Sequence, residues 1–206
     1  VTKSIRFGGL INGKTMSVQD SGSRRFSSKT KEVLEQAGWH EGRVVDDAQL
    51  EEWCALKWNY APGYCQIFPV ALQVLREFGG LVINQHGPGI TCARTPFFID
   101  PVKALGIEDD NWFIDEWLWG MPLYLLGAKG ERMPPEDVLA IDPIGRVLGL
   151  TYGHILYGKT FDEALENMIL GFMPERLGLE VHAHRKKEGF QVRNFIYKTV
   201  FPDWSD

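Results

Sequence analysis

With 206 residues, 44% of them hydrophobic and 24% charged, the chain has an ordinary globular composition and room for one good core. No apolar run approaches the ~20 residues of a membrane-spanning helix, and the first residues lack a secretory apolar stretch. Cys54, Cys65 and Cys92 form an odd set without a Cys-x-x-Cys pair, which excludes a disulfide scaffold and points to a reducing, cytoplasmic setting, with Cys54 and Cys65 read as buried free thiols.

The net charge of −5 is unevenly spread. Residues 1–39 hold seven Lys/Arg against three Asp/Glu, residues 40–143 seven against sixteen, and residues 144–206 eight against eight. An acidic middle disfavours direct binding of nucleic acid and favours a basic partner.

Residues 1–24 read as an appendage, with short strands at 4–7 and 14–18 joined by Gly8-Gly9 and Asn12-Gly13 turn signals. A first helix follows, capped by Ser27 or Ser28, with Val33, Leu34 and Ala37 at helical spacing. Gly38 supplies the left-handed residue that ends it, and Trp39 folds back toward Leu34. A second helix is predicted over 49–58, with Leu50, Trp53, Cys54 and Lys57 on one side, and Pro62-Gly63 breaks it. A third covers 67–78, where Ile67, Ala71, Val74, Leu75 and Phe78 share a face and Pro69 falls in the first turn. Gly79-Gly80 closes this helix and residues 81–83 begin a strand.

Strands are predicted at 96–99, 121–126, 137–142 and 146–152, with a short helix over 102–105 after Asp100-Pro101. Thr160 and Glu163 form a capping-box pair opening a last helix, whose apolar stripe is Phe161, Leu165, Met168, Ile169 and Phe172. Residues 179–182 and 190–197 alternate like a terminal hairpin. Helices first, strands in the middle and a helix after define an α+β fold. N-terminal helices pack on a mixed or antiparallel central sheet with a C-terminal helix, and short β extensions lie at both ends.

Three segments carry a further signal in their order and spacing. They are Ala37-Gly38-Trp39, Gly42-Arg43 and Val45-Asp46; then Ala71-x-x-x-Leu75-x-x-Phe78-Gly79-Gly80-Leu81, followed by Asp100-Pro101; and then Gly158-x-Thr160-x-x-Glu163-Ala164-Leu165 with Gly171 closing. This pattern resembles the SUKH superfamily, and most of all its third subgroup of bacterial immunity proteins. The resemblance covers about residues 25–172 and implies the family's fold. It also implies a protein that binds and neutralises a toxin, most often a nuclease, made by its own cell. It sets a domain at 25–175 flanked by extensions at 1–24 and 176–206. Gly38, Trp39, Gly79, Gly80 and Leu81 read as fold residues, the glycines for positive φ and the tryptophan for packing.

Enzyme motifs are absent: there is no Gly-x-Ser-x-Gly elbow, no phosphate loop and no His-Glu-x-x-His. His182-x-His184 has metal-like strand spacing but supplies half a site, so neither metal nor other cofactor is expected. One segment suits a protein interface. Between Lys103 and Lys129 there is no basic residue, while Glu108, Asp109, Asp110, Asp115 and Glu116 interleave with Trp112, Phe113, Trp117 and Trp119. Aromatic anchors among carboxylates fit a basic protein surface, so Glu108, Asp109, Asp110, Trp112, Asp115, Glu116 and Trp117 are the expected partner-binding residues. Trp117 and Trp119 have core packing as the competing reading. Two other functional readings compete with immunity: a regulatory scaffold of the same fold, and a metal-dependent enzyme using His182 and His184.

Overall fold

The computed structural model describes residues 25–56, 67–105, 119–130, 137–150 and 154–177. The strands expected at 4–7, 14–18, 179–182 and 190–197 lie outside them, as do Cys65, Lys57, His182 and His184.

Local chemistry sets each helix. Helix α1 (Ser28–Gln36) starts where the Ser27 hydroxyl accepts the Thr30 N–H at 3.2 Å. It stops at Gly38, whose φ of +96° turns the chain so that the Trp39 N–H donates to the Leu34 carbonyl at 2.9 Å. Helix α2 (Asp47–Cys54) begins earlier than expected, because the Asp46 carboxylate takes the Gln49 N–H at 2.9 Å and makes Asp46 the cap. Leu50 and Trp53 face inward, but Cys54 is exposed, which overturns its reading as a buried thiol. The helix ends at Cys54, and Leu50 and Trp53 already fill its narrow inward stripe. Helix α3 (Pro69–Phe78) opens on the proline itself, so Ile67 packs on the core from before the first turn. Ala71, Val74, Leu75 and Phe78 form its buried face as expected.

Among the described residues the sheet is a seven-stranded meander, antiparallel throughout: β1 (Val82–Ile83), β2 (Phe97–Phe98), β3 (Tyr124–Lys129), β4 (Asp137–Ile141), β5 (Val147–Gly149), β6 (Ile155–Gly158) and β7 (Glu175–Arg176). Helix α4 (Pro101–Leu105) lies between β2 and β3, and helix α5 (Phe161–Leu170) between β6 and β7. Strand β3 starts three residues later than the expected 121. Strands β6 and β7 were not expected, since runs of four and two residues are too short for an alternation of their own. The Thr160 hydroxyl caps α5 through the Glu163 N–H, while the Glu163 carboxylate reaches past Thr160 to the Lys159 N–H at 2.8 Å. Gly171, at φ +72°, ends α5, so Phe172 lies beyond the helix and is exposed rather than part of the inward stripe.

Every residue of β4 and β5 is buried, because the sheet is covered on both faces. Tyr124, Leu126, Leu139, Ile141 and Val147 face a large core built with α1, α2, α3 and α5. Leu125, Val138, Ala140 and Leu148 face the other way, against Leu123 and Ala104 of α4, with Phe98, Leu105 and Trp119 partly buried beside them. A bulge at Leu125–Gly127 keeps the alternation in phase across β3 and β4.

Glycine plays two different parts at the ends of α1 and α3. Gly80 is left-handed at φ +78°, whereas Gly79 has φ −56°, so the positive-φ reading of Gly79 does not hold. Gly79 is required by close approach: a Cβ there would sit inside the Trp53 ring, itself 1% exposed. Gly38 has open space around its missing Cβ, and only its φ constrains it. Gly79→Ala is therefore expected to destabilise the protein by about 3 kcal/mol through overpacking, and Gly38→Ala by only about 1 kcal/mol through backbone strain. Urea unfolding midpoints of the two variants read the difference directly.

Candidate functional site

The end of α3 is where the helical layer is tied together. Each of its last four carbonyls takes a donor: Leu75 from the Gly79 N–H at 2.9 Å, Arg76 from the Val45 N–H at 2.8 Å, Phe78 from the Leu81 N–H at 3.2 Å, and Glu77 from the Arg43 guanidinium. Arg43 also donates to the Gly79 carbonyl at 2.8 Å, so one side chain spans the helix end where positive charge opposes the helix dipole. Burial lowers the pKa of Arg43, opposed by the charge of Glu77, but a guanidinium stays charged at neutral pH.

Above this end sits an aromatic cluster. Trp39 stacks parallel on Phe78 at 6.2 Å between centroids, and Phe26 meets both rings edge-on at 5.8 and 6.2 Å. The Arg25 guanidinium lies 5.0 Å from the Phe26 ring centre and 5.2 Å from that of Phe78. It donates to Asp162 of α5 at 2.7 and 2.8 Å and to Glu77 at 2.6 Å. Hydrogen bonding to Asp162 is the largest influence on Arg25 and raises its pKa, against the lowering by burial. Glu77 also accepts the Trp39 indole N–H at 3.0 Å.

The outer side of this corner is acidic. Glu41, Asp46, Asp47, Glu51 and Glu52 are exposed around the α2 start, and Val44, 64% exposed, lies among them in sequence. Arg43 is the one basic residue in that stretch, and its guanidinium is engaged with backbone carbonyls. In sequence these carboxylates belong to the acidic middle of the chain, and none is among the expected partner-binding residues. The signal was present, since five carboxylates flank a lone arginine and avoid the Leu50 and Trp53 positions.

A groove of about 680 Å³ opens beside this acidic rim, between α1 and the chain that follows it. Arg25 and Phe26 line it ahead of α1, Ser28, Lys31, Glu32 and Glu35 from α1, and Trp39 and Glu41 from the following loop, so both signs of charge face the groove.

The partner-binding residues expected from the sequence, Glu108, Asp109, Asp110, Trp112, Asp115, Glu116 and Trp117, all lie outside the described residues. The residues that flank them are described. Leu105, before the segment, and Trp119, after it, both pack against the core on the second face of the sheet. Trp119 is held there firmly. Its indole N–H donates to Asp142 at 3.0 Å, and the Arg146 guanidinium lies 4.3 Å from its ring centre. Asp142, with no exposed surface, also accepts the Ile144 and Arg146 backbone N–H groups at 3.1 and 3.0 Å and the Arg146 Nε–H at 2.5 Å. Among the described residues, no group of His, Cys, Asp and Glu is arranged to hold a metal ion, and no helix is long and apolar enough to cross a membrane.

Helices α1, α2, α3 and α5 on one face of an antiparallel sheet and α4 on the other give an α+β scaffold. A family model described as SUKH-3 immunity protein matches residues 26–171. That span is well over half of the chain, and the chain belongs to this family of immunity proteins. No curated protein and no solved structure gives a significant match. The matched span begins at Phe26 and ends at Gly171, the first residue of the aromatic cluster and the left-handed stop of α5.

Asp142→Asn would place an amide N–H₂ against the N–H donors of Trp119 and Arg146, leaving buried donors unsatisfied. The expected cost is about 3 kcal/mol in urea unfolding, with a red shift of tryptophan emission as Trp119 loosens. Asn at wild-type stability would show that the carboxylate does not anchor this turn.

Proposed function

We propose that the protein protects its own cell by binding a toxin in a stoichiometric complex, that the toxin is a basic nuclease, and that the complex forms in the cytoplasm without catalysis or cofactor. The observation that carries this reading is the family match across helices α1 to α5 and strands β1 to β6. Charge supports the choice of target. A nuclease must attract a polyphosphate, so its cleft is basic, and a carboxylate-rich surface matches such a cleft while steering encounter. The acidic stretch of residues 40–143, with sixteen Asp/Glu against seven Lys/Arg, supplies that surface.

Within it we assign the contact to Glu108, Asp109, Asp110, Trp112, Asp115, Glu116 and Trp117. Five carboxylates surround two tryptophans there without an intervening base. The flanking residues Leu105 and Trp119 both pack on the second face of the sheet, away from α1, α2, α3 and α5. Tryptophan anchors bring large contact area at low entropy cost, and the carboxylates select for a basic partner.

Changing Asp109, Asp110, Asp115 and Glu116 together to lysine tests the assignment against the toxin coded beside the gene. The variant is expected to bind on the order of 100-fold more weakly, to lose the salt dependence of binding and to fail to restore growth of toxin-expressing cells. Unchanged affinity and unchanged salt dependence in a variant of wild-type melting temperature would remove this segment from the interface.

A further inference from the structure

We propose that the outer edge of β1 is an interface between two copies of this chain, each adding its β1 to the other's in antiparallel register about a twofold axis. Neither the toxin nor the acidic surface enters into it.

The backbone comes first. Among the described residues β1 is the first strand of the sheet and has β2 as its one neighbouring strand. The Ile99 N–H donates to the Leu81 carbonyl at 3.0 Å, and Ile83 lies opposite Phe97. In an antiparallel ladder, alternate residues turn their N–H and C=O groups to the same side. Leu81 and Ile83 therefore turn toward β2, while Val82 and Asn84 turn outward, off the edge of the sheet. Among the described residues, no backbone hydrogen bond from elsewhere in the chain reaches Val82 or Asn84. The side chains alternate too: Leu81, Ile83 and Gln85 are buried, Val82 is 52% exposed, and Asn84 and His86 are exposed. The extended run thus continues past Ile83 through Gln85.

The two edges of the sheet differ in chemistry. At β7 stand Pro174, Glu175 and Arg176, and proline and charge are devices that keep a further strand from adding. The β1 edge carries neither device. Residues 78–93 contain no Asp, Glu, Lys or Arg, and Pro88 falls beyond the strand. A half-exposed β-branched residue on an open, uncharged edge is the pattern that invites strand addition.

Charge decides the occupant. A neutral edge gives a basic surface nothing to select, whereas pairing with its own copy brings no like charges opposite one another. With the axis at Ile83, Val82 of one copy meets Asn84 of the other, and each donates and accepts a backbone hydrogen bond. A run this short buries far less than the roughly 1,200 Å² of a standard interface, so the dimer is a weak one. The net charge of −5 on each copy opposes association until salt screens it.

Sedimentation equilibrium of the full chain from about 10 μM to about 1 mM, with amide hydrogen exchange at the same concentrations, tests this. A monomer is expected at the low end and a rising dimer fraction at the high end, larger in about 0.5 M salt. Across that range the Val82 and Asn84 amides are expected to gain about fivefold protection while Ile83 stays unchanged. Val82→Lys, and Asn84→Pro at an N–H that the ladder to β2 does not use, are each expected to remain monomeric at the wild-type melting temperature. A monomer at every concentration overturns the proposal, as does a dimer that both variants keep. Full protection of Val82 and Asn84 at the lowest concentration gives the edge to another segment of the same chain and overturns the second copy as occupant. So does protection gained only with the product of the neighbouring large open reading frame. Should either variant fail to fold, the exchange of the wild type decides alone.

Discussion

A helix that ends inside a protein must find donors for its last carbonyls, and the way α3 does so organises half of this molecule. The backbone of the α1–α2 connection supplies one donor, at Val45. The Arg43 side chain supplies two more, and the turn through Gly79 to Leu81 the rest. The Gly80 N–H donates onward to Ile99 at 2.6 Å, which joins the helix end to the chain leaving β2. Trp53 of α2 fills the space that Gly79 leaves, and its carbonyl accepts the Tyr124 hydroxyl from β3 at 2.9 Å. A few residues after Phe78 thus fix α1, α2, α3 and the central strand relative to one another.

The opposite end of the core has a similar solution. The C-terminal carbonyls of α5 are met by the segment after β1. Gln85 donates to Met168 at 2.9 Å, the Ile90 N–H to Leu170 at 3.0 Å, and the Thr91 and Cys92 N–H groups to Gly171 at 2.8 and 3.0 Å. Gly89 and Gly171 pass so closely that a Cβ on Gly171 would lie 2.7 Å from the Gly89 Cα. Exposed carboxylates gather at the corner beside α1 and α2.

Much of the fold was legible because its signals are local. Ser27 and Thr160 cap helices through their own side chains, and Gly38 and Gly171 stop them with positive φ, whereas the Asp46 cap of α2 was missed. The apolar face of α3 could be read from spacing alone. What escaped was set at a distance. Strands β6 and β7 exist because β5 and each other offer partners, and nothing in four or two residues announces that. Gly79 was read correctly as a fold residue for an incorrect reason, since Trp53, far from it in sequence, is what excludes a side chain there. Cys54 looked buried on helical spacing but lies where the helix ends. The site divides in the same way. Charge segregation along the chain pointed to an acidic surface, but only the fold assembles Arg25, Lys31, Glu35, Trp39 and Glu41 around one groove beside the acidic start of α2.

The central claim is neutralisation by stoichiometric contact, and a titration tests it most directly. The product of the neighbouring large open reading frame is held at a concentration well above the dissociation constant, and any cleavage of a labelled nucleic acid by it is followed as this protein is added. The account predicts a linear fall in activity that reaches zero at one equivalent. No inhibition at any excess, or full inhibition far below one equivalent, would contradict it; the latter outcome would mean that the protein acts on the toxin catalytically rather than by occupying it.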